Sequence, residues 1–585
     1  MKPAIVCTTL LVETSPQALP LGAACIASAL KAAPDIAAQF DIRLLTFSRE
    51  SAECAACGTP SDRAEVTAGR LADGGAPAFA CFSVYVWNRA ELEETARLLK
   101  ERFPHTVCIA GGPEATAAPL SFHQFDYTVS GEGEDAVPSL IRTLAALPEA
   151  RRRAVPQDCL PQGVFRLDAR DEAPAERFPR AVTPDIGTLP SPYLDGTLDP
   201  AQFGGALWEL ARGCPFRCSY CYESKGEKSV RRVPLARIEA ELDFFRERAV
   251  PQIFVLDPTF NADKKRALAL LSLISKKAPG TFFSFEARAE FIDRELAAAF
   301  ARIPCSLQIG LQSADPAVLA NIRRTFDRRQ FQRNIGFLNS AGAVFGLDVI
   351  YGLPGDTFRG FKESLDFALS LYPNNLETFR LSVLPGTQLH EDAPRFSLVH
   401  EAEPPYHVIS TPEFPEADMQ KAEALSRACT LFYNYGRAVP WFLAAARALH
   451  ERPSRFLEQF ARWRALRERT ERAPASDGTD AAGCSCPPHE AVEAMQLEFL
   501  SERFRENGIS RLYAAARSIV RFHGALSRTE ADGAMQTARL DFHPDDVAAP
   551  EASDFAFFQK HAAPFPCTVQ TFRKDGAARW RIVRR

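Results

Sequence analysis

The stretch RGCPFRCSYCYE at residues 212–223 determines how the rest of the chain is interpreted, because it places three cysteines close together. Cys214, Cys218 and Cys221 stand in a C-x3-C-x2-C spacing. A structural zinc site normally uses four ligands in two separated pairs, so three clustered thiols fit it poorly. They suit a cubane iron–sulfur cluster in which one iron lacks a protein ligand and can coordinate a small molecule. Three incidental thiols in a loop are the alternative, and the segments described below argue against it.

The same stretch resembles the radical SAM superfamily, whose [4Fe–4S] cluster binds S-adenosylmethionine (SAM) through the open iron. Tyr220, the aromatic residue just before the third cysteine, also fits the family pattern. The resemblance implies that Cys214, Cys218 and Cys221 hold the cluster as thiolates. It further implies one-electron cleavage of SAM to methionine and a 5′-deoxyadenosyl radical, in a site that excludes water.

Residues 204–400 alternate between predicted strands and helices, which is typical of a partial (β/α)6 barrel with its site at the carboxyl face. The segments IGLQS, YGLPGD and LPGT, at residues 309–313, 351–356 and 384–387, match the same superfamily. The predicted strands are Ala206–Ala211, Gln252–Leu256, Thr281–Glu286, Ser306–Gly310, Phe345–Tyr351 and Thr378–Val383. The predicted helices are Leu235–Arg248, Lys264–Lys276, Phe291–Ala301, Arg328–Ala341 and Phe361–Leu371.

Residues at the ends of these strands receive roles from the same resemblance. Glu286 and Arg288 are expected to meet the SAM amine and carboxylate, with a salt bridge at the barrel mouth as the alternative. Gln312 and Ser313 stand where the family contacts the ribose hydroxyls. Asp257 either faces substrate or SAM, or caps the next helix. The backbone expected beside the adenine is that of Gly352, Leu353, Pro354 and Gly355.

Residues 1–145 also alternate between strands and helices, which predicts a doubly wound, Rossmann-like parallel sheet. Ligands of such sheets bind beyond the carboxyl ends of the strands. The predicted strands are Ala4–Leu11, Asp41–Phe47, Ala78–Tyr85, Val107–Ala110 and Tyr127–Ser130, and the predicted helices include Gly22–Ala32 and Arg89–Phe103.

The loops after these strands resemble, in their order, the cobalamin-binding domain that precedes many radical SAM cores. GGPEAT at residues 111–116 and GEGE at residues 131–134 carry most of the resemblance, although each alone would also suit a plain turn. Glycines there let the backbone approach a ligand closely. The candidate cofactor-binding residues are Ser83, Tyr85, Gly111, Gly112, Pro113, Glu114, Gly131, Glu132 and Gly133.

One departure from the cobalamin pattern concerns histidine. The D-x-H-x-x-G segment that supplies a cobalt ligand in other cobalamin domains is absent, and His105 and His123 lie in different settings. The resemblance therefore implies cobalamin bound base-off without a histidine ligand. The alternative is a degenerate domain that binds no corrinoid.

Length and composition restrict the class of protein. A chain of 585 residues predicts roughly three or four domains. The net charge of −4 does not favour a nucleic-acid partner, and we expect no membrane span. The first 16 residues suit a buried strand better than a signal peptide. Fifteen scattered cysteines fit a reducing cytoplasm better than a disulfide scaffold.

The remaining segments carry weaker signals. Residues 146–203 are predicted to be a linker with a short hairpin at 163–167, and residues 401–585 a mainly helical α+β domain ending in a hairpin at Lys574–Gly576. Cys54 and Cys57 are interpreted as incidental loop thiols, and Cys305 as buried packing. Cys484, Cys486 and His489, joined by Cys429 in the fold, are the candidate ligands of a metal site. Nearby ligands are too few, so a loop is the preferred interpretation.

The whole pattern predicts a radical SAM enzyme with a [4Fe–4S] cluster and cobalamin that transfers a methyl group to an unactivated carbon. One alternative is a radical SAM oxidoreductase or rearrangement enzyme without methyl transfer. A second is a tRNA methylthiotransferase, and a third is a non-catalytic corrinoid or iron–sulfur protein. The expected partners are a small-molecule or peptide substrate and an electron donor such as flavodoxin or ferredoxin. No residue is assigned as catalytic.

Overall fold

The computed structural model describes residues 2–167, 179–223, 229–471, 487–574 and 576–584. The chain divides into two compact units. The first unit comprises Met1–Leu307, Ile322–Arg324 and Ser382–Val408, and the second comprises Gln308–Asn321, Thr325–Leu381 and Ile409–Arg585. The four-part division at residues 145, 203 and 400 stays a prediction.

The N-terminal part of the first unit is a sheet with the strand order β2-β1-β3-β4-β5-β6, in which only the β5–β6 pair is antiparallel. This confirms the predicted α/β class. The strands are β1 Ala4–Leu11, β2 Asp41–Ser48, β3 Phe79–Ser83, β4 Val107–Gly111, β5 Tyr127–Val129 and β6 Val164–Arg166. The helices are α1 Leu21–Lys31, α2 Pro34–Gln39, α3 Ala52–Ala55, α4 Pro60–Leu71, α5 Arg89–Arg102, α6 Pro113–Ala117 and α7 Gly133–Ala145.

Strand β1 forms because both of its faces are covered. All eight of its residues are buried, as expected for a central strand of a parallel sheet. Ile5 and Cys7 pack with α1 and α7 residues on one face, whereas Val6 and Leu10 pack with Leu71 and other residues on the opposite face. The carboxyl ends of β1, β3, β4 and β5 therefore meet at one edge.

The hairpin predicted at 163–167 is wrong. Residues Val164–Arg166 instead form β6, which pairs antiparallel with β5. The backbone N–H of Ser130 also donates to the Gly163 carbonyl over 2.8 Å. Without β6, the edge of β5 would leave backbone hydrogen-bonding groups unpaired, and pairing with β6 satisfies them.

Strands of the predicted barrel also lie in the first unit, where β10 pairs in parallel with both β7 and β11. Strand β12 contains the division between the two units. The strands are β7 Ala206–Trp208, β8 Ala211–Arg212, β9 Arg231–Arg232, β10 Gln252–Val255, β11 Phe282–Ala287 and β12 Cys305–Gln312. The helices are α8 Leu235–Glu247, α9 Lys264–Lys277 and α10 Arg294–Phe300.

The strand predicted at Ala206–Ala211 is interrupted. The backbone N–H of Leu210 donates to the buried carboxylate of Asp257 over 3.0 Å, so the strand ends at Trp208 and β8 begins at Ala211. The helix predicted to start at Phe291 starts at Arg294, because Asp293 caps it by accepting from the Leu296 N–H.

The second unit contains the parallel pair β13–β14. Strand β14 begins three residues earlier than predicted, because fully buried Leu376 pairs with Leu347 whereas Phe379 is exposed. The elements here are α11 Pro316–Asn321, α12 Arg328–Ala341, β13 Val344–Tyr351, α13 Phe358–Leu369 and β14 Asn375–Arg380. The chain then returns to the first unit with α14 Gln388–Asp392 and β15 Val399–His400, and β16 Val408–Ser410 contains the next division between the units.

The C-terminal part of the second unit is mainly helical and ends in the antiparallel sheet β17-β18-β19. The elements are α15 Glu416–Cys429, a π-helical turn Thr430–Tyr435, α16 Phe442–Ala448, α17 Pro453–Glu471, α18 His489–Glu506, α19 Tyr513–Asp532, β17 Gln536–Phe542, α20 Pro544–Ala548, α21 Phe555–His561, β18 Pro564–Lys574 and β19 Ala577–Arg584. A turn before Pro453 separates α16 from α17. Among the described helices, none combines the length and apolar character needed to cross a lipid bilayer.

Candidate functional site

The cysteine loop runs between the short antiparallel strands β8 and β9, which pair Arg212 with Arg231. Two further backbone hydrogen bonds fix the middle of the loop: the Ser219 N–H donates to Ile322 over 3.1 Å, and the Ser219 carbonyl accepts from Leu389 over 2.8 Å. The Cys221 N–H donates to the Cys218 carbonyl over 3.2 Å. Short backbone contacts thus hold the loop at both ends and in the middle.

The three thiols of this loop are half-buried and close enough to influence one another. The pKa of Cys221 is raised to about 12, mainly by burial and in part by the neighbouring Cys218 and Cys214. Within the described residues, no three His, Cys, Asp or Glu side chains are arranged around one point for a single metal ion. Three thiols on one short loop suit an iron–sulfur cluster, because its thiolates bind different iron atoms.

Arg288 lies in contact with the cysteine loop. Its guanidinium stacks 3.9 Å from the ring centre of Phe216, a loop residue, and pairs with Glu290 at 2.8 Å. Burial opposes the charge on Arg288, but the hydrogen bond that it donates to Glu290 raises its pKa. Arg288 therefore forms its ion pair with Glu290, which was not among the predicted site residues. Tyr220 lies close enough to Arg288 to contribute to that raised pKa.

A cavity of about 890 Å3 in the first unit connects the N-terminal sheet to the cysteine loop. We call it the large cavity. The predicted residues that line it are Ser83, Tyr85, Gly111, Gly112, Pro113, Gly131, Glu132, Gly133 and Glu286. Its other walls include Arg212, Gly213, Tyr222, Glu223 and Arg231 from the cysteine loop and its flanking strands.

Gly112 shows why a glycine is needed at this edge of the sheet. Its φ is +97°, and a Cβ added there would lie 2.7 Å from the Val84 carbonyl oxygen. Any other residue would combine a strained backbone with a steric clash. The close approach of the loops after β3 and β4 depends on this missing side chain.

Glu114 is the one residue of the predicted cobalamin set that does not line the large cavity. Its buried carboxylate accepts from the Tyr406 hydroxyl over 2.7 Å and lies 3.3 Å from Arg89. Glu114 thus stabilises the loop after β4 without lining the large cavity.

The charged wall of the large cavity was not predicted. Glu132 pairs with Arg231 at 2.6 Å and with Arg212 at 3.6 Å. Arg212 also binds Glu134 at 2.5 Å and Glu209 at 2.7 Å. Burial opposes ionisation of Glu132, but the Arg231 hydrogen bond lowers its pKa. The sequence signal for this charged wall was the presence of an arginine at each end of the cysteine loop.

The residues predicted to contact ribose and adenine lie in the second unit. Gln312 is buried at a φ of +65°, and its Oε1 has no hydrogen-bond partner within the described residues. Ser313 lies 3.4 Å from the Ser364 hydroxyl. The segment Gly352–Gly355 has positive φ at both glycines, and the Asn321 side chain donates to the Pro354 carbonyl over 2.9 Å.

Several weaker candidates have structural explanations. Asp257 does not cap the following helix, because Asp263 does so, and burial raises the pKa of Asp257 to about 7. Cys305 is buried, as predicted. His489 lies 2.7 Å from Arg528. Cys484 and Cys486 lie outside the described residues.

Comparison with known proteins shows what parts of this chain are similar to. Residues 208–368 match the Radical SAM superfamily. The chain is 28% identical to 2-(S-pantetheinyl)-carbapenam-3-carboxylate methyltransferase of Streptantibioticus cattleyicolor, over 64% of this chain and 54% of the relative. It is also 28% identical to the cobalamin-dependent radical SAM methyltransferase TokK of Streptomyces tokunonensis, over 55% and 49%. The chain thus spans about half the length of these curated relatives.

Solved structures share the fold. OxsB, a cobalamin-dependent S-adenosylmethionine radical enzyme with aqua-cobalamin bound, aligns at a TM-score of 0.56 and 15% identity, over 91% of this chain and 81% of that chain. The methyltransferase TsrM from Kitasatospora setae, with cobalamin and a [4Fe–4S] cluster bound, aligns at 0.52 and 16% identity, over 69% and 80%.

Proposed function

We propose that this chain is a cobalamin-dependent radical SAM methyltransferase that acts on an unactivated carbon of a small molecule, because residues 208–368 match the Radical SAM superfamily. The observation that carries the proposal is the large cavity, since the glycine loops of the N-terminal sheet and the flanks of the cysteine loop line one space. Two cofactors held on these two walls would face the same substrate.

Cys214, Cys218 and Cys221 would hold the cluster as thiolates. They are three soft ligands on a loop that backbone hydrogen bonds fix. When bound, the cluster supplies the electron that cleaves the sulfonium bond of SAM, and the corrinoid supplies a cobalt centre that carries a methyl group. The Arg288–Glu290 pair would orient the charged end of SAM beside the loop.

The loops after β3, β4 and β5 would hold the corrinoid, with Gly112 permitting close backbone approach. Among the described residues, no histidine lines the large cavity, so the residues that would hold the corrinoid there do not include a histidine. The ion pairs of Glu132 with Arg212 and Arg231 would fix the two walls and limit the entry of water.

The reaction also needs a reductant, for which we propose a small electron-transfer protein such as flavodoxin or ferredoxin. A reducing compartment such as the cytoplasm suits the thirteen free cysteines of the described residues.

Corrinoid stoichiometry tests the proposal. The protein is purified without oxygen, the cluster is reconstituted, hydroxocobalamin is added and the desalted sample is examined by visible absorption. We expect near-equimolar corrinoid in the wild type and in Cys214→Ala, with SAM cleavage only in the wild type. Cys159→Ala removes an exposed cysteine outside the loop and is the matched control, expected to retain both. SAM cleavage without retained corrinoid would overturn the methyl-transfer mechanism.

A further inference from the structure

A second cavity of about 550 Å3 lies beside the large cavity in the first unit. Its volume is within the range of small-molecule binding pockets. The two cavities share walls formed by Gly22, Tyr85, Glu134, Glu209, Arg212 and Leu256. The remaining wall is mostly apolar and includes Leu11, Val12, Leu19, Leu21, Trp87 and Leu207. We call this space the apolar cavity.

Three large apolar side chains of this wall are unusually exposed for the chain. Trp87 is 47% exposed, Val12 45% and Leu256 41%, and they come from three separate segments. Isolated exposed apolar residues are ordinary, but their convergence on one concave site marks a place where an apolar group binds. Covering them with a ligand would remove apolar surface from water.

The aromatic part of the wall is held in place before any ligand arrives. The rings of Tyr85 and Trp87 stack 4.6 Å apart and nearly parallel. Buried Asn88 fixes the turn between them, because its side chain accepts from the Tyr85 N–H over 2.8 Å and donates to the Leu10 carbonyl over 3.0 Å. Arg49 donates to the Trp87 carbonyl over 2.6 Å. A preformed wall lowers the ordering cost of binding.

Arg212 on the wall of the apolar cavity is already paired with carboxylates, and a further carboxylate, Glu13, lines the same cavity. Arg212 binds both Glu134 and Glu209. The guanidinium therefore does not select an anionic group, and an uncharged group is the best fit to the rest of the wall. The opening toward the large cavity leaves room for a more polar section of the same molecule.

We infer that the apolar cavity binds an uncharged aliphatic or aromatic section of the substrate, while the section to be modified lies in the large cavity. The statement that the section to be modified lies in the large cavity rests on the proposed function. It narrows the substrate class to molecules with an extended apolar part.

The test uses N-phenyl-1-naphthylamine, an uncharged apolar probe, with the full-length, cluster-reconstituted protein. Equilibrium dialysis followed by chromatography measures bound probe without interference from corrinoid absorption. The variants are Val12→Asp and Trp87→Ala, whose exposed side chains are not needed for the core. Val399→Asp is the matched control, because Val399 is 53% exposed in the same unit and lines neither cavity.

We expect one saturable probe site in the wild type and in Val399→Asp. Binding should weaken at least tenfold in Val12→Asp and in Trp87→Ala, and saturating hydroxocobalamin should leave the probe bound. Three results would each overturn the inference: no saturable site, equal affinity in Val12→Asp and the wild type, or competitive displacement of the probe by hydroxocobalamin. The last result would assign the apolar cavity to the corrinoid.

The same samples separate this inference from the proposed function. Corrinoid retention and SAM cleavage test the proposed function without the probe, whereas probe binding needs neither reaction. Loss of corrinoid retention with an intact probe site would overturn the methyltransferase proposal alone.

Discussion

Glu132 and Arg231 form a two-point ion pair, with Oε1 to Nη2 at 2.6 Å and Oε2 to Nη1 at 2.8 Å. Glu132 belongs to the loop after β5, and Arg231 starts the strand that closes the cysteine loop. Such parallel hydrogen bonds fix geometry as well as charge. The pair therefore joins two walls of the large cavity that are remote in sequence.

Glu132→Gln should lower the free energy of unfolding by about 2 kcal/mol, because it leaves two half-buried guanidinium groups with less compensation. Urea denaturation of the full-length protein measures this. Glu149→Gln is the control, since that carboxylate is 61% exposed and 3.9 Å from Arg152, and its loss should stay within about 0.5 kcal/mol. Equal losses in the two variants would contradict the prediction.

Gly112→Ala should reduce corrinoid affinity at least tenfold, because the new Cβ would meet the Val84 carbonyl and shift the loop after β4. Gly196→Ala is the matched control: φ there is +74°, and nothing lies within 4 Å of the added Cβ. It should cost about 1 kcal/mol of stability without changing corrinoid affinity. Titration with hydroxocobalamin reads both. Unchanged affinity in Gly112→Ala would show that the loop does not contact the corrinoid.

Tyr406→Phe should destabilise the protein by about 1–3 kcal/mol, since it removes the shorter hydrogen bond to the buried Glu114 carboxylate and leaves that oxygen only the 3.3 Å bond from Arg89. Thermal or urea unfolding provides the measurement. Tyr372→Phe removes the hydroxyl of a tyrosine that is 44% exposed and should have little effect. No loss of stability in Tyr406→Phe would contradict the prediction and would mean that the existing bond from Arg89 suffices for Glu114.

The stability of the protein should fall as the pH drops from about 6.5 toward 4, in part because of His523. Burial lowers the pKa of this side chain to about 4. The unfolded chain, with an ordinary pKa of about 6.5, binds the proton first, so acid favours unfolding in this window. His523→Gln should remove a slope of up to about 1.4 kcal/mol per pH unit, read from urea denaturation at several pH values. Parallel curves for His523→Gln and the wild type would refute the assignment.

His105→Gln is the control for this pH series. His105 is exposed, so its replacement should leave the pH dependence of the wild type unchanged.

Most of the fold could be predicted, because the strands are encoded locally. Ala4–Leu11 is apolar and buried on both faces, and its predicted bounds agree with the structure. Helix Arg328–Ala341 likewise has its predicted bounds, since Asp327 caps it and Gly342 ends it in a left-handed conformation. Errors arose where a distant residue changed a local pattern, as Asp257 does at Leu210.

The site was predictable only in part for the same reason. The cysteines and glycine loops are short local patterns and can be recognised from the sequence. The pairing of Glu132 with Arg231 could not be predicted, because 99 residues separate the two and no periodicity connects them. Glu290 was missed although it is only two residues from Arg288, since a short helical turn at Ala289–Phe291 replaces the alternation of a strand.

The interruption between β7 and β8 has a further effect on which side chains meet. Side chains three apart along an unbroken strand point to opposite faces of the sheet. Glu209 and Arg212 are three apart, yet their side chains pair at 2.7 Å and both line the large cavity. The hydrogen bond from the Leu210 N–H to Asp257 interrupts the strand just before the first cysteine, so the alternation of side chains between the two faces does not continue across it. One buried carboxylate thus decides that the charge on Arg212 faces the cavity.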